Sequence, residues 1–422
     1  MSLLYIEIGE RYIKKKEVSG MYGLVLEGGG AKGAYHIGAY KAILEEGIEI
    51  GGVAGTSVGA LNGAILVQGD YEKAYELWYN ISYSKVINVH DEYIERLKEG
   101  KFSKEDLILL AEKIKGVFSE KGLDITPLKN LLMEFIDEHK IRNSGKDFGI
   151  VTVSLSDLKP LEVYIEDIPE GKLIEYLMAS AYLPIFKRER IIDGKIYLDG
   201  ALYNNLPVNL LIDKGYKDLI LVRTHGIGNI KKVPLEGLNT ITIAPNEDLG
   251  KLLDFDCDTA RKNLKLGYYD GLKALRGLKG DNYYIEGTKK EDYFVDYLWS
   301  LDEDKVLKMA EIFKIDKDIP YRRALFEFII PKISNILGMD KKATYEDIYY
   351  RLLERLAEIY EIDRFNIYTD EELLDLIKNK LLKEEYTKGN GIEKIIEKVN
   401  LLPLFNKDEI IKEVGKVLFN IF

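Results

Sequence analysis

The chain has 422 residues, 46% of them hydrophobic and 31% charged, with a formal net charge of −11. A single core stops growing at roughly 250–300 residues, so two domains are expected. The acidic balance argues against a general nucleic-acid role, because phosphates repel a chain without a strong basic face. A lone cysteine, Cys257, excludes an internal disulfide and a thiolate metal cluster, and the four scattered histidines lack the close pairing of a zinc site. No apolar run approaches the ~20 residues that span a bilayer, and the opening segment is too polar for a signal peptide, so a cytoplasmic chain is expected.

Residues 1–20 read as an N-terminal extension whose basic run, Lys14 to Lys16, suits a solvated tail. Tyr22 to Leu26 is a short apolar strand ending in Gly28-Gly29-Gly30, and helical spacing follows from Ala34 to Leu44. A second unit repeats the pattern at once: strand Ile48 to Ala54, turn Gly55-Thr56-Ser57, and the small-residue helix Val58 to Val67. Residues 70–140 read as helical throughout, with Asp124-Ile125-Thr126-Pro127 opening one helix. This insertion is a candidate cover for a groove beside Ser57.

Strands return at Phe148 to Leu155 and Leu161 to Ile165, and Lys172 to Ala181 is a helix that stops near Pro184. Two short strands, Arg190 to Ile192 and Lys195 to Leu198, flank the hairpin dipeptide Asp193-Gly194. Asp218 to Thr224 adds a buried strand. Alternating strands and helices predict an α/β core over residues 21–285. From 286 to 422 the pattern becomes amphipathic helices, two of them opening with capping boxes at Thr344 to Asp347 and Thr369 to Glu372. The last carries Ile410, Ile411, Val414, Val417, Leu418, Ile421 and Phe422 on one face, which suits either a domain core or a lipid surface, the core being the commoner use.

Three segments carry candidate chemistry. Gly28-Gly29-Gly30-Ala31-Lys32-Gly33 lets backbone N–H groups turn toward a negative oxygen at a helix start, yet it also fits G-x-G-x-x-G, so an oxyanion loop and a dinucleotide loop both stay open. A nucleotide reading lacks the acidic residue that should end the next strand, which closes in Val53-Ala54-Gly55. Gly55-Thr56-Ser57-Val58-Gly59 matches G-x-S-x-G in the strand–turn–helix context of a nucleophile elbow, although Ser57 could equally cap the helix. Parallel βα units bring both loops to one sheet edge.

A serine hydroxyl needs a base, and two aspartates compete. Asp193 suits a turn; Asp199 leaves a strand and heads Asp199-Gly200-Ala201-Leu202-Tyr203-Asn204-Asn205. A carboxylate of ordinary pKa near 3.9 serves only in a partly dehydrated site with strong oxyanion stabilisation. His225 offers an alternative, since Ser57, Asp199 and His225 follow the chain order of an α/β-hydrolase triad.

Together, Glu27 to Gly33, Gly55 to Gly59, Ala179-Ser180-Ala181-Tyr182-Leu183-Pro184 and Asp199-Gly200-Ala201 resemble the four ordered motifs of the patatin-like phospholipase family, over about residues 21–285. The resemblance implies a three-layer α/β core with a mainly parallel sheet flanked by helices; it does not cover the C-terminal third, where the amphipathic pattern itself predicts an all-helical domain over residues 286–422. It further implies Ser57 as nucleophile, Asp199 as base, and the N–H groups of Gly28, Gly29, Gly30 and Val58 as an oxyanion hole, with no cofactor and no metal. The expected substrate is a phospholipid or other lipid ester, met by transient contact with a membrane surface. Glu27 stands where the family often has aspartate, and Ala201 where it often has a second glycine. A catalytically idle fold is the remaining alternative, because fold alone does not establish activity.

Overall fold

The computed structural model describes residues 21–89, 122–187, 189–287, 289, 291–388 and 407–419. The chain divides between Gly271 and Leu272 into two compact units.

The first unit is built on a seven-stranded sheet. Its strands are β1 (Tyr22–Leu26), β2 (Ile50–Thr56), β3 (Asp147–Ser154), β4 (Lys159–Tyr164), β5 (Tyr197–Asp199), β6 (Asp218–Val222) and β7 (Asn239–Ile243), in the order β4-β3-β2-β1-β6-β7 with β5 on β3. β1 pairs in parallel with β2 and β6, β2 with β3, and β6 with β7. Every residue of β1 and β2 is buried, as expected of parallel strands covered on both faces. Helices α1 (Ala34–Glu45) and α2 (Val58–Val67) follow these two strands, so both intervening loops open at the same sheet edge. Val25, Ala54, Val151, Leu210, Leu211, Leu219 and Leu221 form the apolar layer on one face.

β4 and β5 are antiparallel to β3, and their registers place the site. β2 ends with Thr56 opposite Val151, while β5 ends with Asp199 opposite the next residue of β3, Thr152. The two strands therefore meet end to end along β3, which brings the residue after β2 beside the last residue of β5.

Several expectations are adjusted. Arg190 to Ile192 is not a strand: Ile191 and Lys195 bond across a turn in which Asp193 and Gly194 both take positive φ, and the downstream arm pairs with β3 instead. β7 was missed because its short, partly exposed sequence Asn-Thr-Ile-Thr-Ile gives little apolar signal. Within 70–140 the described helices are Tyr71–Tyr79, Tyr83–Val86, Thr126–Phe135 and Glu138–Arg142, with non-helical residues at 80–82 and 136–137; residues 90–121 lie outside the described residues.

The second unit is mainly helical, around Phe294, Val306, Met309, Leu325, Leu353, Leu356 and Val414. Both expected capping boxes form: Thr344 and Asp347 exchange bonds at 2.9 and 3.1 Å, and Thr369 and Glu372 at 2.9 and 3.2 Å. Helices alone do not account for this unit, because Tyr284–Glu286 pairs in parallel with Ile367–Thr369, a three-residue ladder too short to show a period. In the terminal helix Lys407–Leu418, Ile411, Val414, Val417 and Leu418 are buried in that core, so this part of the apolar stripe is a packing face, while Ile421 and Phe422 lie outside the described residues.

Candidate active site

Ser57 sits between β2 and α2 with φ 56° and ψ −128°. A non-glycine residue in such a conformation stores about 1–3 kcal/mol, which persists only where the surroundings fix it. They do so by close approach. A Cβ on Gly55 would lie 2.3 Å from the Gly59 carbonyl, and one on Gly59 would lie 2.2 Å from Leu26 O. The G-x-S-x-G spacing is thus a steric requirement of the turn that raises Ser57 above the sheet edge.

The end-to-end meeting of β2 and β5 is completed by a hydrogen bond: Ser57 Oγ donates to Asp199 Oδ2 at 2.6 Å. Asp199 Oδ1 accepts from Ala201 N at 2.8 Å, so both carboxylate oxygens are engaged. The methyl group of Ala201 does not disturb this bond. Asp199 is 2% exposed and Ser57 6%. Burial raises the Asp199 carboxyl to about 6, against the opposing effect of the bonds from Ser57 and Ala201. Dehydration thereby turns an ordinarily weak base into one matched to neutral pH. Asp193 stays in its turn.

The third motif segment, Ala179 to Pro184, joins these two residues. Ser180 Oγ accepts the Ser57 N–H at 2.9 Å and donates to Val151 O at 2.7 Å, and Tyr182 O accepts the Asp199 N–H at 2.8 Å. The sequence flagged Ala179 to Pro184 only by resemblance; the bonding partners became visible with the fold.

The glycine loop is held from below. The buried Glu27 carboxylate accepts from Arg223, Thr224 N and His225 N at 2.7–3.2 Å. The longer glutamate side chain thus reaches four donors on three residues beyond β6. Gly28 is a correction to the expected oxyanion set, because its N–H already donates to Asn205 O at 3.0 Å. The N–H groups of Gly29, Gly30 and Val58 meet no acceptor among the described residues. Gly30 has φ 57°, and a Cβ there would lie 2.1 Å from Leu252 O, so only glycine fits.

Behind the loop, Asn62 on α2 donates to Gly33 O at 2.9 Å and to His36 Nδ1 at 3.3 Å, and accepts from Trp78 Nε1 at 2.9 Å. This buried cluster ties α2 to the end of the glycine loop. His36 is fully buried, and dehydration pushes it down to about 3, so it is neutral.

His225 is exposed, at φ 49°, and no hydrogen bond among the described residues joins its side chain to Ser57 or Asp199. It lines a cavity of about 350 Å³ with Lys32, Thr224 and Leu249, to which neither Ser57 nor Asp199 contributes. No group of three or more His, Cys, Asp or Glu among the described residues is arranged to hold a metal ion.

A family model described as patatin-like phospholipase matches residues 24–212. Neuropathy target esterase sws of Drosophila melanogaster is 30% identical over 213 residues, covering 47% of this chain and 12% of the relative. Patatin-like phospholipase domain-containing protein 7 of Mus musculus is 26% identical over 204 residues, covering 47% of this chain and 13% of the relative. The chain therefore spans only a small part of these relatives. Among solved structures, VipD from Legionella pneumophila aligns over 95% of this chain and 91% of its own, with 15% identity and a TM-score of 0.38. Residues 24–212, within the first unit, thus carry a domain that matches the patatin-like phospholipase family.

Proposed function

We propose that the protein is a lipid acyl hydrolase of the phospholipase A or lysophospholipase type, working through Ser57 and Asp199. The observation that carries this reading is the 2.6 Å bond from Ser57 Oγ to a dehydrated Asp199 carboxylate at the end of a strained strand-to-helix turn. Ser57 Oγ attacks the ester carbonyl carbon while its proton passes to Asp199 Oδ2. The N–H groups of Gly29, Gly30 and Val58 receive the oxyanion. Collapse returns the proton to the departing alcohol and leaves an acyl group on Ser57. Water then attacks that acyl group and gives a proton to Asp199, which passes it to Ser57 Oγ as the acyl–oxygen bond breaks and the fatty acid leaves.

A relative named as an esterase and others named for a phospholipase domain support an ester of a lipid as substrate. No described helix is long and apolar enough to cross a membrane, which fits a protein that meets its lipid from outside the bilayer. The test is release of fatty acid from phospholipid vesicles and of product from a soluble p-nitrophenyl ester, without added metal. The parent should act on at least one of them, and Ser57→Ala and Asp199→Asn should not. A parent inactive on every ester would favour a catalytically idle fold.

A further inference from the structure

Ser57 and Asp199 are almost completely buried, so an ester held in a lipid aggregate has to be brought to them from a surface nearby. Two loops beside the site have an unusual surface. Leu202, three residues after Asp199, is 48% exposed, while Ile227 and Ile230, on the loop after β6, are 87% and 43% exposed. Single exposed apolar residues are ordinary, but here three occur on two loops bonded to each other.

Asn229 N donates to Ala201 O at 2.8 Å, Asn229 Nδ2 to Leu202 O at 2.7 Å, and Asn205 N to Asn229 O at 2.6 Å. Lys231 N reaches Asn204 Oδ1 at 3.3 Å, and His225 N is held by Glu27. The apolar tip is thus presented on backbone fixed at both flanks. Directly behind it stand Lys231 and Lys232, both exposed. Lys231 lies over the Tyr203 ring and 3.4 Å from Glu162, and Lys232 has no carboxylate partner among the described residues. In a chain of net charge −11, an apolar tip backed by two lysines is a local exception that complements an anionic headgroup layer.

We infer that the 202–203 and 226–232 loops form an interfacial rim, which inserts Leu202, Ile227 and Ile230 into a lipid aggregate carrying anionic headgroups, with Lys231 and Lys232 at headgroup level. The rim delivers the acyl ester to the adjacent Ser57, and in that respect it rests on the hydrolase reading above.

The experiment compares the full chain with Ile227→Ser/Ile230→Ser and with Lys232→Glu. It measures co-sedimentation with phosphatidylcholine vesicles with and without phosphatidylglycerol, and hydrolysis of vesicle lipid and of a soluble p-nitrophenyl ester. The double serine variant should bind vesicles about ten-fold more weakly or worse, as expected for removing two inserted apolar side chains. Lys232→Glu should lose only the added binding due to phosphatidylglycerol, and both variants should keep the parent's rate on the soluble ester.

Vesicle binding equal to the parent's, or no vesicle binding by the parent, would overturn the rim. So would equal losses on both substrates, which would make the loop a support for the dyad. A change of oligomeric state with vesicle binding intact would assign the patch to a second copy. If the parent hydrolyses no ester, the hydrolase reading fails, and co-sedimentation still decides the rim.

Discussion

The backbone N–H of Ser57 is held by the side chain of Ser180, whose Oγ in turn donates to Val151 O. One hydroxyl therefore fixes the backbone of Ser57 to β3, the strand that also carries Asp199 through β5. Ser180→Ala leaves a buried N–H and a buried carbonyl without this partner, at a cost of about 1–3 kcal/mol. The expected outcome is a lower melting temperature and a kcat reduced more than ten-fold with KM nearly unchanged, since the loss falls on alignment of the attacking atom. Steady-state kinetics on a soluble ester, beside thermal unfolding, checks both parts.

The raised Asp199 carboxyl predicts how activity follows pH. Asp199 must be ionised to take the proton, so kcat/KM on a soluble ester should rise through about pH 6 and level off above it. A profile that rises near pH 4 would place the base in water.

The same burial has a cost to stability. The folded value near 6 lies above the ordinary aspartate value of 3.8, so the folded state binds the proton more tightly. Stability from this group is fully present below pH 4 and is lost as pH rises through 6, an effect on the order of 3 kcal/mol. Asp199→Asn should therefore be inactive yet more stable than the parent at pH 7, with the advantage vanishing near pH 4. Denaturant titrations at the two pH values measure it.

Asn62 makes three buried hydrogen bonds that join α2, the end of the glycine loop and Trp78. Asn62→Ala leaves the Trp78 indole N–H without its acceptor and should cost about 2–4 kcal/mol. Chemical denaturation should show an earlier midpoint without a change in slope.

His225→Ala separates a dyad from a triad. With no hydrogen bond from its side chain to Ser57 or Asp199 among the described residues, His225 should be dispensable, and the variant should keep the parent's rate within about two-fold. A loss as large as that of Ser57→Ala would establish the triad.

The parts of the site legible in the sequence are those where local sterics dictate residue type. Gly55 and Gly59 are demanded by the turn around Ser57, Gly30 by its positive φ, and Asp193-Gly194 by a tight turn. Parts that depend on distant pairing were not legible. Gly28 and Asn205 lie 177 positions apart, and nothing near Gly28 signals that its N–H is occupied. The role of β3 as the ruler that sets Asp199 against Ser57 depends on a register formed by three separate segments. The short strands Tyr284–Glu286 and Ile367–Thr369 are below the length at which a period can be read.

A nucleophilic Ser57 activated by Asp199 would be open to covalent labelling. The most direct measurement is reaction with a fluorophosphonate probe, followed by intact mass and peptide mapping of the parent, Ser57→Ala and Asp199→Asn. One adduct is expected on Ser57 in the parent, none in Ser57→Ala, and labelling slowed by orders of magnitude in Asp199→Asn. Labelling at another residue, or equal rates in the parent and Asp199→Asn, would contradict this assignment.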